Sequence, residues 1–247
     1  MLTNEQELAR RTRRAFIGLG AGAVAGFAGL GWLSAGPIEE GNIPPNFRKI
    51  LGFNEKVVRS ALYSQDHLAP TFPASAIRKL KPNGEEGLED ELVAADWRLE
   101  IQPYKAGAVT QKLTLDDIKT LPRHDETIEF KCVEGWSTVT QFAGALLSDF
   151  TAKFCPGSEK AACIGMNTPD GVYYVSIDMP SALHPQTLLA WEMNSEPLTE
   201  EHGAPLRLVI PVKYGIKNIK RIGRIEYTDS HPKDYWEERG YDWYAGL

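Results

Sequence analysis

The sequence predicts an α+β fold in a single domain. Strand-like and helix-like segments follow one another without the regular alternation that produces a doubly wound parallel sheet. Of the 247 residues, 43% are hydrophobic and 24% are charged, which is typical of a globular protein. The stretch from residue 37 onward is long enough to bury a sizeable core.

Residues 1–36 have the pattern of a twin-arginine export signal. Arg13 and Arg14 precede Ala15–Ala35, a stretch of 21 residues without a charge. Such a signal predicts a location in the periplasm or on the outer face of the cytoplasmic membrane. The uncharged stretch also reaches the ~20 residues needed to cross a bilayer. Cleavage of the signal and its retention as a membrane anchor therefore both stay open.

Residues 37–85 are predicted to form an extended arm that lies over the domain. The segments Gly36-Pro37, Ile43-Pro44-Pro45 and Ala69-Pro70-Thr71-Phe72-Pro73 each block regular structure. Within this arm, one short helix is expected near Asn54 to Ser64.

Three elements are predicted next. Asp96–Gln102 alternates polar and apolar residues, as a strand does. Leu113–Leu121 is predicted as a short helix, because Thr114 is a suitable N-cap and Pro122 is a stop. Glu126–Val133 is then expected to be a strand with Cys132 near its end.

A longer helix is expected over Thr140–Phe154, because apolar residues such as Phe142, Leu146 and Phe150 recur there at helical spacing. The remaining elements, in chain order, are strands at Ala161–Met166 and Gly171–Ile177, a helix at Leu183–Met193, a strand at Leu206–Val212, a tight turn at Lys213–Lys220 and a strand at Arg221–Thr228. Residues 229–247 are rich in aromatic side chains and are expected to pack on the body as a tail.

The chain has three cysteines, an odd number for a protein exported to an oxidising compartment. Cys155 and Cys163 can either pair in a disulfide or remain two buried thiols. Cys132 can be a core residue or a metal ligand, since a thiolate is a soft ligand that suits transition metals.

Charge is unevenly distributed along the chain. Four of the 27 Lys and Arg residues and two of the 33 Asp and Glu residues precede Pro37, which leaves 23 bases, 31 acids and a net charge of −8 in the body. This balance argues against nucleic acid or anionic lipid as the main partner.

Six basic residues nevertheless fall within eighteen positions: Arg207, Lys213, Lys217, Lys220, Arg221 and Arg224. They form either a solvated face or, with the backbone amides of the glycine turn at Gly215, a phosphate site.

His202 and Arg207 flank a turn that enters a strand. Both side chains can face a cofactor, or they can cap the turn and lie on the surface. The sequence contains neither HExxH nor GxSxG, and the loop near Gly215 lacks the Walker and dinucleotide glycine patterns. A zinc protease and a serine hydrolase are therefore disfavoured.

Three segments together resemble the molybdopterin-binding domain of the sulfite oxidase family, and most of all its bacterial exported branch. They are CVEGWS from Cys132, ALHPQTLLAWEMNSEPL from Ala182 and HGAPLRLVIPVKYGIKNIK from His202. The resemblance implies a mixed-sheet α+β fold with the molybdopterin-binding domain at residues 86–228. It also implies molybdenum-molybdopterin (Mo-MPT) as the cofactor.

The resemblance assigns roles to particular residues. Cys132 matches the cysteine whose thiolate binds molybdenum, and Arg207 matches an arginine that contacts the pterin. Further cofactor contacts are implied for Gln65, Asp66, His67, Thr168 and His202, and for Lys217, Asn218 and Lys220 close to the pterin phosphate.

The chain also departs from the animal members of this family. Glu134-Gly135-Trp136 follows Cys132 where the animal enzyme has Gly-Asn-Arg, and Gln65 stands where it has arginine, so a sulfite dianion would lose two cationic partners. The resemblance therefore implies reduction of a sulfoxide or similar oxide.

Because the sequence has no CxxCH haem motif, electrons are expected from a membrane haem protein or a small cytochrome. A sulfite dehydrogenase that passes electrons to a cytochrome and a non-catalytic subunit of a membrane complex are the alternatives.

Overall fold

The computed structural model describes residues 26–36, 43–104 and 107–247, without the side chains of residues 61 and 62. Arg13 and Arg14 of the predicted export signal lie outside these residues, as does part of the uncharged stretch. Within the described residues, no helix is both long enough and apolar enough to cross a membrane. The chain divides into two compact units, Met1–Asn54 and Glu55–Leu247.

The described part of the first unit is mainly helical. Residues 26–33 are helical, and helix α1 begins at Pro45 and ends at Val57. A proline is well placed at a helix start, because its missing N–H would have had no partner there. The Asn46 side chain donates to the carbonyl of Trp32 at 2.6 Å and ties the two helical stretches together. The helix predicted near Asn54 to Ser64 thus begins earlier than expected and continues as a π-helical turn at Val58–Leu62.

The second unit contains two five-stranded sheets. The first consists of β1 (Leu99–Gln102), β2 (Gln111–Leu113), β5 (Cys163–Asn167), β6 (Tyr174–Asp178) and β10 (Arg224–Thr228). Their order is β2-β1-β10-β5-β6. The β1–β10 pair is parallel and the other pairs are antiparallel, so the sheet is mixed. The predicted mixed-sheet α+β class is confirmed.

The second sheet consists of β3 (His124–Lys131), β4 (Ser137–Leu146), β7 (Leu188–Met193), β8 (Glu196–Pro197) and β9 (Arg207–Val209). Its order is β3-β4-β7-β8, with β9 also paired to β7. One hydrophobic core joins the two sheets, with Ile101, Ile164 and Ile225 from the first and Ala145 and Leu208 from the second all fully buried. Burial of this apolar surface is the main source of the stability of the fold.

The described residues of the second unit also form three short α-helices: α2 (Leu115–Lys119), α3 (Leu147–Phe154) and α4 (Met179–Ala182). Helix α2 confirms the predicted cap, because the Thr114 hydroxyl accepts a hydrogen bond from the Asp117 N–H at 3.1 Å. The Asp117 carboxylate in turn accepts from the Thr114 N–H at 2.8 Å. This reciprocal capping box satisfies two backbone donors at the helix start.

Two of the predicted helices are wrong in whole or in part. The helix expected over Thr140–Phe154 is a strand as far as Leu146 and becomes helical only at Leu147. In place of the helix expected over Leu183–Met193, the chain forms β7 from Leu188. Both strands lie inside the second sheet, and long parts of them are buried without polar alternation. Apolar periodicity alone cannot distinguish such a strand from a buried helix.

An extended arm follows the π-helical turn and lies against the β3–β4 hairpin. The Phe72 N–H donates to the Thr127 carbonyl, and the Arg78 N–H donates to the Val139 carbonyl, both at 2.9 Å. From Tyr63 to about residue 85 the arm is irregular, apart from a 3₁₀ turn at Ala74–Ala76.

The C-terminal residues 229–247 are here called the tail. Trp243 and Tyr244 are buried, and the Trp243 indole donates to the Ser176 hydroxyl at 2.6 Å. The buried ammonium of Lys217 pairs with the equally buried carboxylate of Asp234. Removing one partner of such a buried pair typically costs about 3–5 kcal/mol, because the remaining charge would be buried without a partner.

Candidate functional site

A cavity of about 850 Å³, counted with its open mouth, lies beside the end of β3. It is lined by several of the residues that the sequence analysis proposed, namely Cys132, His202, Arg207, Asn218 and Lys220. Aromatic rings also line it: Phe130, Trp136, Tyr173, Trp236 and Tyr241. Segments far apart in the sequence therefore meet at a single cavity.

Cys132 is the first residue of the turn that joins β3 to β4. Its N–H donates to the Trp136 carbonyl at 2.9 Å, and its carbonyl accepts from the Gly135 N–H at 3.1 Å. Gly135 has φ +87°, in the left-handed region that glycine adopts without strain. The turn thus fixes the thiol at the cavity, where Cys132 is 7% exposed.

Asn83, in the arm, contacts both Cys132 and Lys220. Its side-chain amide lies 3.7 Å from the Cys132 sulfur. Its carbonyl, like that of Gly84, accepts a hydrogen bond from the Lys220 ammonium at 2.9 Å. The arm therefore closes one side of the cavity.

Gly203 brings His202 close to Lys220. His202 ends a 3₁₀ turn, and the following Gly203 has φ +94°. A Cβ added at Gly203 would lie 2.7 Å from the Lys220 Cβ and 2.8 Å from its Cα. Such contacts are too short for any side chain, so glycine is required for this approach.

Arg207, at the start of β9, is the largest fully buried side chain in the described residues. Its guanidinium donates to the carbonyls of His202 at 3.0 Å and Asn218 at 3.4 Å. It also lies 5.6 Å and 5.1 Å from the ring centres of Phe130 and Phe142. Within the described part of the chain, its Nε has no hydrogen-bond partner. Because a buried charge is costly unless it is paired, this group fits an anion that enters the cavity.

Burial and the nearby positive charges change the ionisation of two groups at the cavity, His202 and Lys220. Burial, followed by the charges of Arg207 and Lys220, lowers the pKa of His202 to about 4. The imidazole is therefore neutral at pH 7, and its Nδ1 has no partner among the described residues. Burial and Arg207 lower the pKa of Lys220 to about 8. An anion bound here would favour the charged forms of these groups.

The structure places the other proposed cofactor contacts differently. Gln65 and Asp66 lie in an exposed turn of the arm, while His67 lines a second cavity together with Lys131, the residue before Cys132. Thr168 is buried outside the Cys132 cavity, where it accepts from the Tyr173 N–H at 3.1 Å. The involvement of these four residues stays a prediction.

Two residues of the basic loop have structural partners. Lys217 does not line the cavity, since its ammonium is held by Asp234 and by the Ser176 carbonyl. Asn218 lines the cavity, but its amide oxygen accepts from the Ile210 N–H and its amide nitrogen donates to the Tyr214 carbonyl. Its side chain therefore braces the loop that carries Lys220.

The sequence did not indicate a role at the site for Asn83, Trp236 or Tyr241. Asn83 lies in the proline-rich arm and the two aromatic residues lie in the tail. No local motif connects these segments with Cys132. The concentration of aromatic residues in the tail was the one available signal, and it indicated packing only.

The residues of the cavity fit Mo-MPT. A thiol suits molybdenum as a soft ligand. The unneutralised guanidinium of Arg207, the ammonium of Lys220 and the unpartnered Nδ1 of His202 suit the anionic phosphate end of the pterin by charge-assisted hydrogen bonds. Fold and cavity together define the class of protein: one that binds an anionic, metal-carrying cofactor between a strand-end cysteine and a basic loop.

Comparison with known proteins gives the family. Residues 87–236 match the model of the oxidoreductase molybdopterin binding domain. The chain is 37% identical over 194 residues to a putative protein-methionine-sulfoxide reductase subunit, YedZ1, from Azospira oryzae, covering 76% of this chain and 72% of that protein. It is 36% identical over 160 residues to the protein-methionine-sulfoxide reductase catalytic subunit MsrP from Xanthomonas axonopodis pv. citri, covering 57% of this chain and 49% of MsrP. It thus spans about half the length of that relative.

A solved structure supports the fold. The crystal structure of the sulfane dehydrogenase SoxCD from Paracoccus pantotrophus matches with a TM-score of 0.51 and 24% identity, over 57% of this chain and 40% of that one. The chain belongs to the oxidoreductase molybdopterin binding domain family. The predicted family, its oxidoreductase class and its molybdopterin cofactor are confirmed.

Proposed function

We propose that the protein reduces a sulfoxide to a thioether in the Cys132 cavity. The observation that carries this proposal is the charge of the cavity's more exposed lining, where the carboxylates of Glu86 and Glu134 balance the ammonium groups of Lys81 and Lys220, so that the entrance has no excess of positive charge. Aromatic rings make up much of the rest. Such an entrance disfavours a sulfite dianion and suits a neutral oxide. The names of the two relatives agree with this choice.

The reaction needs an external source of electrons. Converting a sulfoxide to a thioether breaks the sulfur–oxygen bond, consumes two electrons and two protons, and releases water. When bound, Mo-MPT supplies this two-electron oxygen-transfer chemistry. The chain itself would supply the Cys132 thiolate to the metal, and Arg207 and Lys220 to the pterin phosphate. A membrane haem protein or small cytochrome is the proposed electron donor, and both relatives are named as subunits.

The substrate assignment is tested by steady-state assays of the Mo-loaded protein. We expect methionine sulfoxide to be reduced with a reduced dye as donor, and sulfite oxidation with cytochrome c as acceptor to be at least about tenfold weaker in kcat/KM. The reason is the loss of two cationic partners for the dianion, each worth roughly 1.5–3 kcal/mol. A higher kcat/KM for sulfite would favour the sulfite dehydrogenase alternative. Loss of both activities with a full complement of Mo-MPT and no Mo(V) resonance would favour the non-catalytic subunit.

We also propose that the protein is exported by the twin-arginine route and acts in the periplasm or on the outer face of the cytoplasmic membrane. The support is the Arg13-Arg14 pair followed by an uncharged stretch. Replacing both arginines by lysine should leave the protein in the cytoplasmic fraction, as judged by cell fractionation and immunoblotting. Lysine substitution of Arg10 and Arg11, which lie outside the pair, is the control. Unchanged export of the Arg13→Lys, Arg14→Lys variant would contradict the proposal.

A further inference from the structure

The tail forms one wall of the Cys132 cavity. Trp236 and Tyr241 both line it, although the family match ends at residue 236. Their rings lie 5.1 Å apart at an interplanar angle of 70°, an edge-to-face arrangement that aromatic pairs favour. The Tyr241 N–H donates to the Trp236 carbonyl at 2.9 Å, so one backbone turn holds both rings.

Asp234 fixes the position of this wall. Its buried carboxylate accepts from the Ser176 N–H at 3.0 Å and from the Lys217 ammonium, both on the body of the domain. It also accepts from the N–H groups of Trp236 at 3.2 Å and Glu237 at 3.1 Å, at the start of the turn. One carboxylate therefore connects the backbone of the aromatic turn to the body, and the edge-to-face contact with Tyr241 positions the Trp236 ring.

The exposure of the lining residues separates two regions of the cavity. Arg207 and Asn218, which are 1% and 4% exposed, lie in its buried part beside the basic loop. Tyr241 is 42% exposed, and Trp236 is half-buried. A cofactor that binds through its negative charge would occupy the buried part of the cavity, next to the cations. The rings of Trp236 and Tyr241 lie in the more exposed part, where they can contact a molecule that enters from solvent.

The chemistry of the rings indicates what they contact. A sulfoxide carries no net charge, and the groups attached to its sulfur are apolar. Aromatic rings make favourable contacts with sulfur and with the carbon atoms next to it. Resting on the proposed function, we propose that Trp236 and Tyr241 are specificity-determining residues that contact the sulfur substituents of a methionine sulfoxide side chain.

The test compares Trp236→Ala and Tyr241→Ala with the wild-type protein, all loaded with Mo-MPT. Each variant should raise the KM for a methionine sulfoxide peptide about tenfold, the upper range for sulfur–aromatic contacts, with little change in kcat. Dimethyl sulfoxide, whose substituents are two methyl groups, should be affected less, so the preference for the peptide should shrink. Trp236→Phe should keep most of the wild-type preference for the peptide over dimethyl sulfoxide. Lys233→Ala, an 83% exposed side chain in the same tail, is the matched control and should behave as wild type.

The outcomes separate this inference from the proposed function. A wild-type protein that does not reduce sulfoxides overturns both. An active wild type whose KM is unchanged in both alanine variants overturns the specificity role alone. A fall in molybdenum content in Trp236→Ala and Tyr241→Ala, measured by elemental analysis, would assign the rings to the cofactor and also overturn it. A raised KM at full molybdenum content is the expected result.

Discussion

Replacing Cys132 by serine should abolish the activity of the purified protein and lower its molybdenum content. A serine hydroxyl is a hard, neutral ligand that cannot replace a soft thiolate at the metal. Even residues that only support a metal ligand typically contribute about 10- to 100-fold in affinity or activity, so loss of the ligand itself should exceed this range. Elemental analysis and the Mo(V) resonance report on the metal independently of turnover.

Cys163→Ala provides the matched control for this variant. Cys163 is also a free, buried cysteine, but it packs against Trp243 and Tyr244, away from the cavity. We expect this variant to keep wild-type activity per bound molybdenum. Full activity and full metal content in Cys132→Ser would overturn the assignment of Cys132 as the metal ligand.

Replacing Arg207 by methionine should reduce cofactor retention by about 10- to 100-fold. Methionine has a similar length and suits the space between Phe130 and Phe142, but it removes the buried cation that has no anionic partner in the described residues. A hydrogen bond to a charged group contributes roughly 1.5–3 kcal/mol, which corresponds to this loss of affinity. The measurement is pterin and molybdenum content after dialysis.

Arg224→Met distinguishes a local effect from a general loss of positive charge. Arg224 belongs to the same basic segment of the sequence, but it lies on β10, partly exposed, and contacts Glu226 at 3.4 Å. We expect its cofactor content to be unchanged. Equal losses in both variants, or none in Arg207→Met with its far-ultraviolet circular dichroism preserved, would contradict a specific role for Arg207.

Several local features of the fold could be predicted from the sequence, because short-range chemistry determines them. The Thr114 cap is present as expected, and the strand expected over Glu126–Val133 forms as His124–Lys131, with Cys132 directly after its end. The turn expected between His202 and Arg207, at the entry to a strand, is also present. The motif segments were sufficient to recognise the family, because cofactor-binding chemistry restricts which residues can stand at these positions.

The prediction of helices where β4 and β7 form was wrong for a physical reason. Strand β4 pairs with β3 on one side and with β7 on the other. Residues such as Phe142, Ala143 and Ala145 are all buried, so the alternation of an ordinary half-exposed strand is lost. The strands with which a segment pairs are distant from it in sequence. The spacing of apolar residues within the segment therefore does not predict this pairing.

The sequence by itself determined the family, the cofactor class, the metal-binding candidate Cys132 and the basic segment that includes Arg207 and Lys220. The tertiary structure decided how that basic charge is used. It directs Lys217 to Asp234 in the tail and leaves Arg207 buried beside the cavity without an anion in the described residues. It also places Asn83 and Trp236 at the site. These outcomes depend on contacts between segments distant in sequence, because burial and charge pairing are settled only when the segments pack together.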